Sequence, residues 1–414
     1  MNSNKKSFIS SLFAILILEF IVALSINFFA YNFIVRIIGI LLMILSCILY
    51  FGNAKKISIN EIIFLVLSLL YGVSVLPDAL LNYNGLDIFS IIFSFLSVSW
   101  LGYTIGNDES YQNKPLIVIF GSLFLFGIVS LFATLFSYGF FFALTRDTSS
   151  VEHSTKMWII GLDPFVKESR VFISFFGYEL SLLSSGLMVL WANKKVEAKD
   201  TLLRKIALAG GVLGVVGLLT MPYLLGIIIT VVSIGITTLI IYFPKEKKKR
   251  VVIYLGGGIV ALLALVVIVL KGNDIARIKA GLNVLKNVFN YPLGNQPEEV
   301  LIGTPNTRNI YLDALYQNGI PSLFVLLGIT AIVGYSLVKY YKTSNDSKIK
   351  KNLILSFIIH YFIYVNLNYG QVVFVEYGDK LPLYLDPTLL VILLLTGYMI
   401  AINNKKTAKI DLKS

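Results

Sequence analysis

The residues whose types and spacing could do chemistry gather between two apolar runs, in segment 271–319. Arg308 directly precedes Asn309-Ile310-Tyr311-Leu312-Asp313, the start of a short predicted helix over 309–319. A helix N-terminus presents unpaired N–H groups and partial positive charge, which suits an anion. A guanidinium beside it adds a fork of donors that matches phosphate oxygens. An interfacial arginine that only snorkels to lipid headgroups meets the same description. Upstream, Ile275, Ile278, Leu282, Leu285 and Phe289 recur at spacings of three and four, which predicts an amphipathic helix. Asn273 or Asp274 is available to cap it, and Tyr291-Pro292-Leu293-Gly294 ends it. Lys279 and Lys286 fall on one flank and Arg277 on another. Two arrangements fit: a surface helix at the lipid interface, or a lid over an outward-facing cavity with one basic residue turned inward.

The elements that must position these residues follow from composition. The chain has 414 residues, 57% of them hydrophobic and 14% charged, with mean hydropathy +0.80. Soluble domains carry about 25% charged residues, so a soluble enzyme, a disordered chain and a secreted disulfide scaffold are excluded. The only cysteine, Cys47, lies in an apolar run and supports no disulfide framework and no Cys-based metal site. A transmembrane helix needs roughly 20 apolar residues. The apolar runs are 8–30, 33–51, 57–76, 87–105, 115–143, 171–192, 206–220, 223–243, 251–270, 320–338, 353–369 and 387–403. The expected fold is therefore an all-α polytopic membrane protein of about twelve spans, a single integral membrane domain over 1–414. Only Met221 and Pro222 separate spans seven and eight, so a tight hairpin and a broken helix both fit. The first run begins with Lys5 and Lys6 like a signal peptide, but its length and Glu19 make an uncleaved first helix the expectation.

The net charge of +12 has a topological reading. Alternating the spans concentrates lysine and arginine in one set of short loops, including KEKKKR at 245–250, and the positive-inside rule puts that set and both termini in the cytoplasm. The run at 245–250 is thus a topology anchor rather than a nucleic-acid surface. Two enlarged loops remain outside, 144–170 and 271–319, and loops of this length are usually functional or disordered. Both mix aromatics, prolines and charges, with short amphipathic helices expected. Of the intramembrane ionisable residues, Arg36 and Glu61 lie near span ends and can snorkel, whereas Glu19 and Glu179 lie deeper and need a partner or an aqueous cavity.

The segment from Arg277 through KAGLNVLKNVFNYPLGNQ to TPNTRNIYLDALYQNGIP resembles the C-terminal signature of the O-antigen polymerase and ligase superfamily, the Wzy-like membrane glycosyltransferases. That signature has an arginine, an amphipathic helix, a PLGxG-like turn and an HNxYLxxLxxxGIxG motif entering a transmembrane helix. Here the turn is Pro292-Leu293-Gly294-Asn295, and the motif runs from Arg308-Asn309-Ile310-Tyr311-Leu312 to Gly319-Ile320-Pro321. Two positions depart from the family: Arg308 stands where it has histidine, and Leu219-Thr220-Met221-Pro222-Tyr223 lacks its Ser-Arg pair.

The resemblance implies transfer of a glycan from an undecaprenyl-diphosphate carrier to an acceptor hydroxyl at the outer face of the cytoplasmic membrane. It implies no cofactor, since cationic side chains can neutralise the diphosphate without metal. Arg277 and Arg308 are the diphosphate candidates, joined by Lys156 and Arg170 from the other long loop. The acceptor proton needs a carboxylate or histidine, and His153, Asp163, Asp274 and Asp313 are the candidates. His360, in span eleven, fits either a site or a structural hydrogen bond. The implied partners are the lipid-linked glycan, the bilayer, and a chain-length regulator and flippase of the same pathway. The reading is a polymerase joining repeat units of a capsular or O-antigen-like polysaccharide. A lipid-linked oligosaccharide flippase would show related halves and short outer loops; a ligase would differ only in its acceptor.

Overall fold

A helix satisfies the backbone hydrogen bonds of an apolar run internally, and most of the described residues take that form. The computed structural model describes residues 59–74, 99–100, 102–103, 106–107, 116, 186–187, 189, 198–220, 224–241, 273–303, 307, 309–367, 373–374, 384–385 and 387–411. Among these, the helices are α1 (Ile59–Ser74), α2 (Thr201–Thr220), α3 (Leu224–Ile241), α4 (Asn273–Asn287), α5 (Ile310–Thr343), α6 (Lys348–Leu367) and α7 (Pro387–Asp411). Short 3-10 turns occupy Ala198–Asp200 and Glu298–Leu301. The strand pairing among the described residues is a two-residue antiparallel one, β1 (Val373–Phe374) with β2 (Tyr384–Leu385). The break between spans seven and eight falls at 221–223, outside the described residues.

Packing centres on α5. It lies against α1 and α7, and α6 packs on α3, α5 and α7. Gly328 of α5 sits against Leu67 of α1, and Gly397 of α7 sits on the backbone at Ser99. Small residues at such crossings let helix backbones approach closely.

These helices expose many large apolar side chains while burying both apolar and polar ones. Ile59, Ile62, Ile63 and Val66 of α1, Val212 of α2, Val231 of α3, and Phe324 and Leu327 of α5 are exposed. Glu61, Ser68, Ser233, Ser322, Ser336 and His360 are buried. Glu61 therefore does not snorkel to a surface as its place near a span end suggested; its carboxyl turns into the protein. Several hydroxyls return to their own helix, Ser68 to the Phe64 carbonyl at 2.8 Å, Ser233 to Ile229 at 2.6 Å and Thr396 to Ile392 at 2.7 Å. That local bond satisfies a buried hydroxyl without an outside partner.

Among the described residues, α5 is long and apolar enough by length and composition to cross a membrane. It is not one rod. Gly319 has φ 75° and ψ −166°, so the helix divides into an outer arm, 310–318, and a long arm from 320. Nineteen residues of straight helix would separate Tyr311 from Thr330 by roughly 28 Å. Their hydroxyls are instead 2.9 Å apart, so the outer arm folds back alongside the long one.

Candidate functional site

Glycine makes the fold-back possible. Gly294 (φ 88°) and Gly319 (φ 75°) both occupy the left-handed region that side chains disfavour. A Cβ on Gly294 would strike the Gln317 carbonyl, and one on Gly319 would strike the Pro292 carbonyl. The two turns are thus locked backbone on backbone. Three hydrogen bonds complete the lock: Asn295 N–H to the Gln317 carbonyl at 3.0 Å, Gln296 N–H to Tyr316 at 3.2 Å, and Ile320 N–H to Pro292 at 2.9 Å. The Pro-Leu-Gly turn and the Gly-Ile-Pro end of the sequence motif are the two halves of this joint.

The joint fixes the direction of α4. Near its middle, Gly281 lies against Leu312 at the start of the outer arm; beyond its end, Pro292 lies against Gly319 at the close of that arm. The two helices therefore run parallel, with their N-termini at the same end. Between them Ala280, Val284, Val300, Leu301 and Leu315 form a small apolar core, with Val288, Tyr316, Ile320 and Leu323 packed on it. The 3-10 turn at 298–301 returns along α4, where Asn283 Nδ2 donates to the Val300 carbonyl at 3.4 Å and Gln296 Nε2 to the Val284 carbonyl at 3.3 Å.

Helix α4 is amphipathic as its spacing predicted, and the structure says which face is which. Ile278, Leu282, Leu285 and Phe289 are exposed, as are Lys279 and Lys286. The inward face is Ala280, Gly281 and Val284, and Arg277 lies on it one turn before Gly281. Arg277 is half-buried, and its Nε is buried without a hydrogen-bond partner among the described residues. The parallel register puts Arg277 level with the first turn of the outer arm.

That first turn is built with care for its polar groups. Asn309 is the N-cap: its Oδ1 accepts from Tyr311 N–H at 3.1 Å and Leu312 N–H at 3.2 Å. These are two of the donors that a helix start leaves open. Asn309 Nδ2 donates to Asn366 Oδ1 on α6 at 2.9 Å, tying the arm to a neighbouring helix. Asp313 is buried in the same turn. Its Oδ1 accepts from the Thr307 backbone N–H at 2.8 Å and from the Thr307 hydroxyl at 2.7 Å. Its Oδ2 is buried with no hydrogen-bond partner among the described residues.

Asp313 lies in the outer arm, ahead of Gly319. A carboxylate with one oxygen anchored and the other without a partner among the described residues has the attributes of a general base.

Of the other predicted site residues, His153, Lys156, Asp163, Arg170 and Arg308 lie outside the described residues. Asp274 is in the first turn of α4, and its side chain also lies outside them. His360 is buried within α6. Sequence reasoning missed Thr307 and Asn366. Thr307 sits in TPNTRN, where the threonine carries no periodic signal. Asn366 is remote in sequence from the motif it braces, and only its presence as an amide in an apolar span marked it. Among the described residues no group of three or more His, Cys, Asp or Glu side chains is placed to hold a metal ion.

The arrangement can hold an anion beside the N-terminus of the outer arm and the arginine level with its first turn, and can accept a proton at Asp313. In comparisons with known proteins, no family model and no curated sequence matches this chain.

Proposed function

We propose that this chain is a multi-pass membrane glycosyltransferase that joins undecaprenyl-diphosphate-linked oligosaccharide repeat units into a surface polysaccharide. The reaction takes place at the outer face of the cytoplasmic membrane. The observation that carries the reading is Asp313: a buried carboxyl in the motif that resembles the family, with one oxygen held by Thr307 and the other without a partner among the described residues. The many exposed apolar side chains of the helices support a lipid surround, because water-soluble monomers rarely expose apolar surface so extensively. About twelve spans with cytoplasmic termini and two enlarged outer loops remain the layout that fits the sequence.

In the reaction the acceptor hydroxyl oxygen attacks the anomeric carbon of the donor sugar. The bond from that carbon to the diphosphate oxygen breaks, and undecaprenyl diphosphate leaves. Asp313 takes the proton from the acceptor hydroxyl. Arg277, with Arg308 in sequence beside the helix start, neutralises the charge growing on the diphosphate. Lys156 and Arg170 are further diphosphate ligands in this scheme. The N–H groups at the start of the outer arm add to the same field.

The test is reconstitution of the purified chain with its cognate undecaprenyl-diphosphate repeat unit. A ladder of lengthening glycan is the expected result. Movement of the lipid across the vesicle without a ladder replaces the polymerase with a flippase. Transfer of finished glycan to a different acceptor, again without a ladder, replaces it with a ligase.

A further inference from the structure

The first turn of the outer arm takes its orientation from a helix outside α4 and α5. Among the described residues, the hydrogen bond that leaves those two helices from this turn runs from Asn309 Nδ2 to Asn366 Oδ1, at 2.9 Å. Separate partners fix which way each amide faces. The Asn309 oxygen accepts from the Tyr311 and Leu312 N–H groups at 3.1 and 3.2 Å, so its NH2 turns to α6. The Asn366 NH2 donates to the Phe362 carbonyl at 2.7 Å, so its oxygen turns to Asn309. Neither amide can flip without losing partners at both of its ends.

Asn309 in turn grips Asp313 twice. Its carbonyl accepts the Asp313 N–H at 2.8 Å, and its own N–H donates to the Thr307 hydroxyl at 3.3 Å. A hydroxyl has one proton to give. The Thr307 hydroxyl lies 2.7 Å from Asp313 Oδ1 and 3.4 Å from the Asn309 carbonyl, so that proton goes to the carboxylate. Asn366, Asn309, Thr307 and Asp313 are thus one connected chain of hydrogen bonds, with every donor assigned.

We infer that Asn366 is a positioning residue of the site: from α6 it holds the Asn309 amide, and through Asn309 and Thr307 it sets where the Asp313 carboxylate stands. The inference rests on the reading of Asp313 as the base. The far end of the outer arm is already locked by the bonds between 292–296 and 316–320, and its flank by the apolar core shared with α4. The near end, where Asp313 stands, is joined to the long arm by the Tyr311 and Thr330 hydroxyls and to α6 by Asn366. Helix α6 is a firm support. It packs on α3, α5 and α7, and Lys350 near its start lies 3.6 Å from Asp346. A general base acts only within hydrogen-bond reach of the proton it takes, so a loose near end costs rate even in a folded chain. Arg277 belongs to α4 and has no place in this chain of bonds, so substrate binding depends on it less than the chemical step does.

The test uses the purified full chain in vesicles with its cognate undecaprenyl-diphosphate repeat unit, and compares Asn366→Leu with Asn309→Ser. The Asn309→Ser variant keeps a cap oxygen for the helix start but loses the N–H that Asn366 accepts. Each variant is expected to lower kcat by roughly 10- to 100-fold, as a misplacement of about 1 Å does, with KM little changed. The double variant should fall no further than the worse single one, because both remove the same bond. Additive losses, or a change in KM with kcat intact, overturn the inference. So does a normal kcat from Asn366→Leu at lowered thermal stability, which leaves Asn366 a fastener alone. Amide hydrogen exchange over 309–313 is a readout that needs no activity. Faster exchange there in Asn366→Leu, with 290–296 unchanged, is expected; unchanged exchange at 309–313 overturns the inference. A parent chain that makes no glycan overturns the glycosyltransferase reading instead, and exchange then decides the link from Asn366 by itself. Where Asn366→Leu does not fold, Asn366→Ala takes its place in every comparison.

Discussion

An aspartate sits among hydrogen-bonding neighbours at the start of α5 and another just beyond its far end, and the two are built to opposite plans. At the far end, Asp346 Oδ2 accepts from the Tyr340 hydroxyl at 2.7 Å and the Tyr398 hydroxyl at 2.8 Å. Its Oδ1 lies 3.6 Å from the Lys350 ammonium, and the two tyrosine rings meet edge to face with centroids 6.1 Å apart. Both carboxylate oxygens are engaged, and three helices are stitched by one side chain. At the outer end, Asp313 has one oxygen engaged by Thr307 and one without a partner among the described residues. A satisfied carboxylate stabilises what surrounds it, whereas a buried, half-satisfied one costs stability that only a bound partner recovers. The first is a fastener. The second has the form of a site waiting for a proton and its donor.

The comparison can be broken most directly by paired substitutions. Asp313→Asn should cut glycan elongation by on the order of 10²–10⁴, the usual contribution of a general base, while the purified chain stays folded. Asp346→Asn should do the reverse, lowering thermal stability by about 1–3 kcal/mol with little change in rate per folded molecule. Equal loss of activity from both would erase the distinction. Elongation assays beside thermal unfolding of the same samples decide it.

Removing Arg277 comes next in size. Arg277→Ala should slow elongation by roughly 10²–10³, as loss of one charge-stabilising donor does elsewhere, and Arg277→Lys should recover part of the rate. Normal chain length from Arg277→Ala would take this residue out of the site. Gly319→Ala should act on architecture instead. The substitution places a side chain at φ 75° and against the Pro292 carbonyl, costing about 1–3 kcal/mol for the backbone conformation alone. It should loosen the outer arm without unfolding the long one. Proteolysis within 290–320 of the variant and the parent measures that difference.

The smallest effect sharpens the chemistry. Thr307→Val removes the hydroxyl that holds Asp313 Oδ1 and should slow elongation by less than Asp313→Asn does. A loss as large as that of Asp313→Asn would give the larger role to Thr307.

Much of the site's local form was legible in the sequence. The three-and-four spacing over Ile275–Phe289 marked α4, Asn309 marked the start of the outer arm, and Gly319 with Pro321 marked its end. What spacing could not say was which side of α4 packs inward. The apolar stripe is the conspicuous one, yet Ala280, Gly281 and Val284 are buried because small residues let the arm come close. Nor could it show that Gly294 and Gly319 meet, since their interlock is a property of two backbones rather than of any side-chain pattern. Glu61 reads as a surface-seeking residue by position, and only packing of α1 turns it inward. Thr307 and Asn366 were invisible for the same reason: their roles exist only after distant turns are brought together.

The glycine interlock also bears on how the chain is assembled. Its hydrogen bonds, and the apolar core beside it, join residues between Ala280 and Leu323. Contacts so close in sequence form early and carry little loop-closure penalty. The unit can therefore close while α6 is still being synthesised. The bond from Asn309 to Asn366 is then a late stitch that docks a finished piece onto its neighbour.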